Sequence, residues 1–557
     1  MKAMSGREAF LTLMEEEGVE YLFGNPGTTE LPIMDALVDH PAIRYVLALQ
    51  EAVAVGMADG YSRATGKLSC TNLHVAPGLG NAIGSLYTAR FFGSPMIVTA
   101  GQWEAGHGLT EPLLSGDLVA MAAPVVKWAT EVQRVEDVPR VFRRAAKLAL
   151  TPPTGPVFVS LPGDVLVNSA ELELGSATRL DSRTRPSDEA LEHVAERLLG
   201  AGAPVIIAAQ EVNTSDAFAE LARVAELLGA PVYNQSVPSL AVFDTEHPLF
   251  VGEISRDQRR VRERLDPHDL LFMVGGDGLR MSVQSPVEPV PPGLPIVQLG
   301  TRDWEIAKNY SAEIALDADV RETLRALAPI LERRGSKSQV AAAEQRVERI
   351  RGANWAAKRA ARVTTTEPLG GRKPILAEYL MLQIAETLPA DAVVVDEGIT
   401  ATRSLLSLLR AKERQRYFGM ASGAIGWGIA AAVGVQLAVQ PRRVVAVIGD
   451  GSSMYSIQAL WTAARHRLPI TFVIASNGAY SILKERLVAF GGSSVAKETM
   501  IGMDFEPPIG FPALAESLGV AARRVEDPAD IVPALRWGLE ADGPTLLDVA
   551  IHDGYRS

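Results

Sequence analysis

The chain has 557 residues, of which 47% are hydrophobic and 22% charged, and it carries a net charge of −12. That length is too great for one core, so about two to four domains are expected; the acidic balance argues against nucleic acid as a main partner. Cys70 is the only cysteine, which excludes an intrachain disulfide and fits a reducing, cytoplasmic setting.

Short β-branched runs alternate with Ala- and Leu-rich stretches, the pattern of an α/β chain whose mainly parallel sheets are flanked by helices. The N-terminus, MKAMSGREAFLTLMEEEGVEYLFG, predicts an amphipathic helix followed by a strand. It lacks the apolar core and small-residue cleavage site of a signal peptide. Further strands are predicted at IRYVLAL from Ile43, KLSCTNLHV from Lys67, PMIVTA from Pro95 and PVFVSLP from Pro156. The polar stretch SATRLDSRTRPSDEA marks a boundary near 176–188. A second block, 189–330, contains APVIIAAQ, LLFMVGG and LPIVQLG. Residues 331–373 are basic and end in Gly and Pro, as a helical connection and linker would. The last block, 374–557, offers AVVVDEG, RVVAVIGD, ITFVIAS and TLLDVAI. Its nonpolar run Gly423–Val435 is shorter than the roughly 20 residues that cross a bilayer and predicts a buried helix. Three units of similar kind are therefore expected, over 1–180, 189–330 and 374–557.

Two turns in the last block carry chemistry. Asp450 follows the run VVAVIG, and Asn477, 27 positions on, follows ITFVIAS. In an open parallel sheet, ligands collect at the carboxyl ends of strands, so neighbouring strands would aim both side chains into one crevice. A carboxylate, a carboxamide and a backbone carbonyl are hard oxygen donors, suited to Mg²⁺ or Ca²⁺ rather than zinc. The glycines beside Asp450 admit a phosphate, and a helix beginning near Ser453 would turn its free N–H groups toward it. A lone Gly-Asp-Gly is more often a plain strand-to-helix turn; the paired Asn-Gly changes the odds.

Gly-Asp-Gly followed by just under thirty residues and an Asn resembles the signature of thiamine diphosphate enzymes. The resemblance implies that Asp450 and Asn477 bind the metal with side-chain oxygens and Ala479 with its backbone oxygen. It further implies that Gly451, Ser452, Ile399 and Thr400 touch the diphosphate. Such enzymes need a shielded carboxyl group against the cofactor's aminopyrimidine ring, where it promotes removal of the thiazolium C2 proton. Glu51, in LALQEAVAVGMADGY, stands where a strand turns into an apolar helix. Position alone suggests a helix N-terminal Glu stabilised by the dipole, but Leu-x-x-Glu-x-x-Ala before Ala-Asp-Gly-Tyr resembles the family's activating-glutamate motif. In MASGAIGWG, Ile425 matches the aliphatic support of the bent cofactor, Gly423 the carbonyl that binds its amino group, and Met420 a pocket wall; Tyr480 is a further cofactor contact. Glu51 and Asp450 lie in separate blocks, so the resemblance implies a shared site between subunits, in a homodimer at least and a dimer of dimers by analogy.

Over most of the chain, FGNPGTTELP, LALQEA, NLHVAPGLGNAIG and GDGSSMYSIQALWTAA resemble the benzoylformate decarboxylases. By that resemblance Asn25, Pro26 and Gly27 line the pyrimidine, with Gly78 and Asn81 in the next loop. Thr28 replaces a serine that contacts the substrate carboxylate, and His74 matches an active-site histidine suited to proton transfer. Three positions depart from the pattern. Met281 and Ser282 stand where those enzymes have a second histidine, Ile482 replaces a small alanine and Arg486 a phenylalanine. A larger residue 482 should shrink the room for an aryl group. The implied activity is decarboxylation of a 2-oxo acid through an enamine, with possible carboligation. Acetolactate synthase-like carboligation is the alternative, and a non-catalytic cofactor-binding regulatory subunit a third reading. The glycines of Gly275–Gly278 are no dinucleotide fingerprint, so FAD is not expected.

Overall fold

A computed structural model describes residues 2–491 and 500–554. Three six-stranded sheets follow one another along the chain, and every strand pair within them is parallel. The first sheet runs, edge to edge, Arg44–Leu47, Tyr21–Gly24, Ser69–Leu73, Met96–Gln102, Pro156–Pro162 and Trp128–Glu131. The last runs Tyr417–Gly419, Val393–Glu397, Val444–Gly449, Ile470–Ser476, Thr545–Ala550 and Ala521–Val525. With each sheet's strands counted in chain order, both read 2-1-3-4-6-5, so the two sheets share one topology. The middle sheet, Phe250–Glu253 to Ile314–Asp317, reads 3-2-1-4-5-6, the doubly wound order. In all three the strand order reverses beside the first strand, and that switch point is where a crevice opens.

Most central strands are the apolar runs expected of a sheet buried on both faces; Ser69–Leu73, SCTNL, is equally buried but carries three polar residues. Edge strands differ. Trp128–Glu131, Ile314–Asp317 and Ala521–Val525 are half-exposed and mix charges with apolar residues, so their sequences carry no such run. A strand also precedes the first helix: Lys2–Ser5 pairs antiparallel with Ser169–Leu172. Between the middle and last sheets, helices Lys337–Arg351 and Trp355–Thr366 form the connection, and helix Val320–Arg334 runs past residue 330.

The nonpolar run of the last unit is helical only from Gly428, as Gly428–Val439. Residues 423–427 form a loop instead, because Gly423 and Gly426 take φ of 82° and 99°, outside the right-handed helix. The helix Gly428–Val439 crosses helix Glu51–Thr65, with backbones in contact. A Cβ on Gly434 would overlap the Met57 carbonyl oxygen, and one on Gly60 would overlap that of Ala431. Above the crossing, Trp427 Nε1 donates to the buried carboxylate of Asp59 at 2.6 Å. The first and last units thereby share one apolar core. Among the described residues, no helix is long and apolar enough to cross a membrane.

Candidate active site

The predicted residues gather at the switch points of the first and last sheets. In the last sheet, strands Val444–Gly449 and Ile470–Ser476 are direct neighbours in register, Gly449 opposite Ala475. The chain therefore delivers Asp450 and Asn477 side by side. Asp450 Oδ2 accepts the N–H groups of Asn477 at 2.9 Å and Gly478 at 2.6 Å, and Oδ1 accepts that of Gly451 at 2.8 Å. Burial pushes the Asp450 carboxyl up to about 6 against these three donors. The Asn477 carboxamide donates to Ser481 Oγ at 2.9 Å, which turns its Oδ1 toward the Ala479 N–H, 3.0 Å away. One carboxylate, one carboxamide oxygen and the Ala479 carbonyl make a hard-oxygen donor set that fits Mg²⁺ or Ca²⁺. No cluster of three or more His, Cys, Asp or Glu that could hold a metal occurs among the described residues.

The helix expected from Ser453 is a single turn, Asp450–Ser453, and the next helix starts only at Ala459. Asp450 Oδ1 accepts the Gly451 N–H within that turn, so this group already has a partner. Gly451 has no room for a side chain: a Cβ there would lie 2.6 Å from the Tyr480 ring and 2.9 Å from that of Phe505. Those two rings meet edge to face at 4.8 Å. Ser452 is buried. Across the switch point, Ile399 and Thr400 follow strand Val393–Glu397, and Ile399 is held at a φ of 51°. A β-branched residue in that region is uncommon and strained.

Glu397, at the end of the same strand, was not singled out by sequence reasoning. It is buried and accepts the N–H groups of Gly426 and Gly428, so it fixes the loop that carries Gly423 and Ile425. Desolvation pushes its carboxyl up to about 8. Met420 is anchored by its N–H to the Asp396 carbonyl at 3.0 Å, and its sulfur lies 3.1 Å from the Gly423 nitrogen. Both loops thus belong to one strand end.

In the first sheet, Glu51 opens helix Glu51–Thr65 and is 7% exposed. Asn81 Nδ2 donates to its Oε2 at 3.0 Å, and a Cβ on Gly78 would come within 3.0 Å of Oε1. Gly78 and Asn81 lie in helix Val75–Phe92 and not in a loop: the Gly78 N–H already reaches the His74 carbonyl at 2.8 Å, so the helix begins directly after His74. Asn25, Pro26 and Gly27 leave the neighbouring strand, and Thr28 opens the short helix after them. Thr28 is exposed. His74 Nδ1 lies 2.9 Å from Glu30 Oε2 and 3.2 Å from Thr29 Oγ1. Glu30 has no solvent exposure and also accepts the N–H groups of Gly27 at 2.8 Å and Gly101 at 2.9 Å. It is the second residue that sequence reasoning missed; the spacing Gly27-Thr-Thr-Glu30, a capping-box spacing, could have pointed to it.

Helix Ser481–Phe490 carries Ile482, half-buried, and Arg486, exposed, one turn apart on one face. Among the described residues, no hydrogen bond joins the Glu51–His74 group to the Asp450–Asn477 pair within the chain. A cavity of about 880 Å³ between the three units contains none of these residues.

Three family models match the chain. They are the N-terminal thiamine pyrophosphate-binding domain of thiamine pyrophosphate enzymes at residues 4–115, the central domain at 191–327 and the C-terminal binding domain at 400–549. A benzoylformate decarboxylase of Pseudomonas aeruginosa is 32% identical over 542 residues, covering 96% of this chain and 97% of that protein. The acetolactate synthase large subunit of Haemophilus influenzae is 26% identical, covering 96% of this chain and 92% of that protein. Among solved structures, the thiamine diphosphate-dependent 4-hydroxybenzoylformate decarboxylase of Rhodococcus jostii RHA1 superposes with a TM-score of 0.87 at 32% identity, covering 99% of both chains. Benzoylformate decarboxylase from Polynucleobacter necessarius gives 0.88 at 27% identity, again covering 99% of both.

Proposed function

The chain belongs to the thiamine pyrophosphate enzymes, and on that premise we propose that it decarboxylates a 2-oxo acid with bound thiamine diphosphate, in the manner of benzoylformate decarboxylases. One observation carries this reading. Two sheets of identical strand order present complementary chemistry at the same place, a shielded Glu51 carboxyl on the first and an Asp450–Asn477 oxygen pair on the last. Nothing in the geometry or the comparisons favours a regulatory subunit.

When bound, thiamine diphosphate supplies the electron sink for loss of CO₂. Asp450, Asn477 and the Ala479 carbonyl would hold its Mg²⁺ or Ca²⁺, and Gly451, Ser452, Ile399 and Thr400 would receive the diphosphate. Asn25, Pro26, Gly27, Gly78 and Tyr480 would enclose the rings, with Ile425 as support and the Gly423 carbonyl as acceptor for the amino group. Glu51, oriented by Asn81, would exchange a proton with the pyrimidine edge. Thr28 would bind the substrate carboxylate and His74 would move a proton at the reacting carbon, while Met420, Ile482 and Arg486 would bound the substrate's far side. Flavin has no part in this scheme.

Because no hydrogen bond joins the two half-sites among the described residues of one chain, a homodimer would complete them, and a homotetramer would pair two dimers. Exposed apolar side chains beside each half-site support such a face: Leu49 and Tyr87 on the first unit, Met454 and Tyr455 on the last. The same scheme assigns pyrimidine binding to 1–180, diphosphate binding to 374–557, a middle domain to 189–330 and a linker to 331–373. A cytoplasmic location suits the single buried Cys70.

Carboligation to a hydroxyketone is a second reading, favoured by Met281 and Ser282 in the loop where the decarboxylases carry a further histidine. Assay of the holoenzyme on a panel of 2-oxo acids separates the two. CO₂ with an equal yield of aldehyde supports decarboxylation, CO₂ with hydroxyketone supports carboligation, and no CO₂ from any acid overturns both.

A further inference from the structure

The direction in which the Asn477 carboxamide faces is decided by the hydrogen of Ser481. Ser481 is buried, 3% exposed, at the start of helix Ser481–Phe490. Its Oγ lies 2.7 Å from the Asp553 carbonyl oxygen and 2.9 Å from Asn477 Nδ2. A hydroxyl has a single hydrogen and a carbonyl oxygen can only accept, so that hydrogen is committed to Asp553. Toward Asn477, Oγ then presents lone pairs alone, and only the NH₂ end of the carboxamide can meet it. Oδ1 is thereby kept on the other side, 3.0 Å from the Ala479 N–H, with a further lone pair for the metal-binding set. Turned over, the carboxamide would set oxygen against oxygen at Ser481 and N–H against N–H at Ala479. Among the described residues, no other hydrogen bond reaches Asn477 Nδ2.

The acceptor that commits this hydroxyl comes from the C-terminal segment, 72 positions beyond Ser481. Strand Thr545–Ala550 runs beside Ile470–Ser476, with Ala550 opposite Ser476. Past the strand, the Ile551 N–H donates to the Ser476 carbonyl at 2.9 Å, and the His552 N–H donates to the Ile375 carbonyl at 2.8 Å. Residues 551–553 are therefore tied by backbone to the residue before Asn477, and through Ser481 to the Asn477 side chain itself. If the segment lifted away, the Ser481 hydrogen would be released and could turn toward Asn477, and either face of the carboxamide would then be tolerated.

Resting on the reading in which Asp450, Asn477 and the Ala479 carbonyl hold the cofactor's metal, we propose that Ser481 is a positioning residue for that metal, relaying the seating of segment 551–553 to the coordinating face of Asn477. The relay works in both directions. A seated segment selects the carboxamide orientation that binds the metal, and a bound metal holds the segment down by the same factor.

The test follows thiamine diphosphate binding to the full chain against free Mg²⁺ by near-ultraviolet circular dichroism. Ser481→Ala is expected to raise the half-saturating Mg²⁺ about 10-fold, the scale of one lost hydrogen bond at a half-buried amide, and Ser481→Thr, which keeps the hydroxyl, to restore it to within about threefold. Asn477→Asp makes the two oxygens of residue 477 equivalent, so in that background Ser481→Ala should cost about twofold or less. A serine that merely supports the fold would cost the same in both backgrounds. In the unaltered protein, saturation with thiamine diphosphate and Mg²⁺ should slow amide hydrogen exchange in the peptide containing 551–554. That arm needs no variant and decides the question even where a substitution disturbs folding. Unchanged Mg²⁺ dependence in Ser481→Ala, an equal cost in both backgrounds, or unchanged exchange in 551–554 overturns the proposal. Failure of the unaltered protein to bind thiamine diphosphate, or binding indifferent to Mg²⁺, overturns the metal-site reading itself, so the two failures are distinct.

Discussion

His74 Nδ1 lies 2.9 Å from Glu30 Oε2, and the same carboxylate holds the Gly27 N–H at 2.8 Å. A carboxylate accepts, so Nδ1 carries the hydrogen and Nε2 is left for the reacting end of the site. The contact also explains Gly27, where a Cβ would overlap the imidazole. Glu30→Gln should therefore lower kcat by about 10- to 100-fold, because the amide cannot accept from all these donors while fixing the ring. Steady-state rates with saturating cofactor check this; a kcat within twofold of the parent would remove Glu30 from the site.

The helix crossing predicts a stability effect far from the chemistry. In Gly434→Ala the new methyl meets backbone on helix Glu51–Thr65, with the Tyr61 nitrogen at 2.7 Å, so neither helix can yield cheaply. The expected cost is about 1–3 kcal/mol, read as a lower midpoint in urea unfolding. The shift in Glu51's helix should also weaken cofactor affinity, which isothermal titration would detect.

Much of the fold was legible because most central strands are apolar runs with Gly or Pro near their ends. YLFG matches strand Tyr21–Gly24 residue for residue. The strands that escaped notice, such as Tyr417–Gly419 and Ala521–Val525, are short and lie at sheet edges, where register with one neighbour rather than burial on both faces maintains them. The site divides in the same way. Asp450 and Asn477 are readable because each stands in a Gly-containing turn directly after an apolar strand, and their two strands are neighbours in the sheet. Glu30 and Glu397 act on Gly101, Gly426 and Gly428, which the chain reaches only after long excursions.

Stability should depend on pH through Glu397. Its carboxyl is pushed from an ordinary 4.5 up to about 8 by burial. A folded value above the unfolded one means that the fold binds an extra proton between the two. The associated stabilisation is complete below about 4.5 and is lost as pH rises through about 8. The unfolding temperature should fall as pH rises from about 4.5 to about 8 and level off above that, and fall less in Glu397→Gln. Identical pH profiles in the two proteins would contradict the assignment.

Ile482 sets the width of the pocket in the same account. Ile482→Ala should raise kcat/KM for aryl relative to short aliphatic 2-oxo acids by about 10-fold, the scale of a few methylenes in an apolar pocket. A ratio that does not move would place residue 482 outside the pocket wall.

Glu51→Gln should retain cofactor binding while turnover falls by about 10²-fold or more, since the amide cannot exchange the proton. Co-expressed with Asp450→Ala, it should regain activity in hybrid dimers, where one of the two shared sites is intact. Hybrids as inactive as either parent would show that both residues serve a site within one chain.

The most direct measurement is titration of the purified protein with thiamine diphosphate, followed by near-ultraviolet circular dichroism with and without Mg²⁺. Saturable binding that requires the divalent ion, and that disappears in Asp450→Ala, is the predicted result. No affinity for thiamine diphosphate, or equal affinity in the presence of a chelator, would contradict the role given to Asp450 and Asn477.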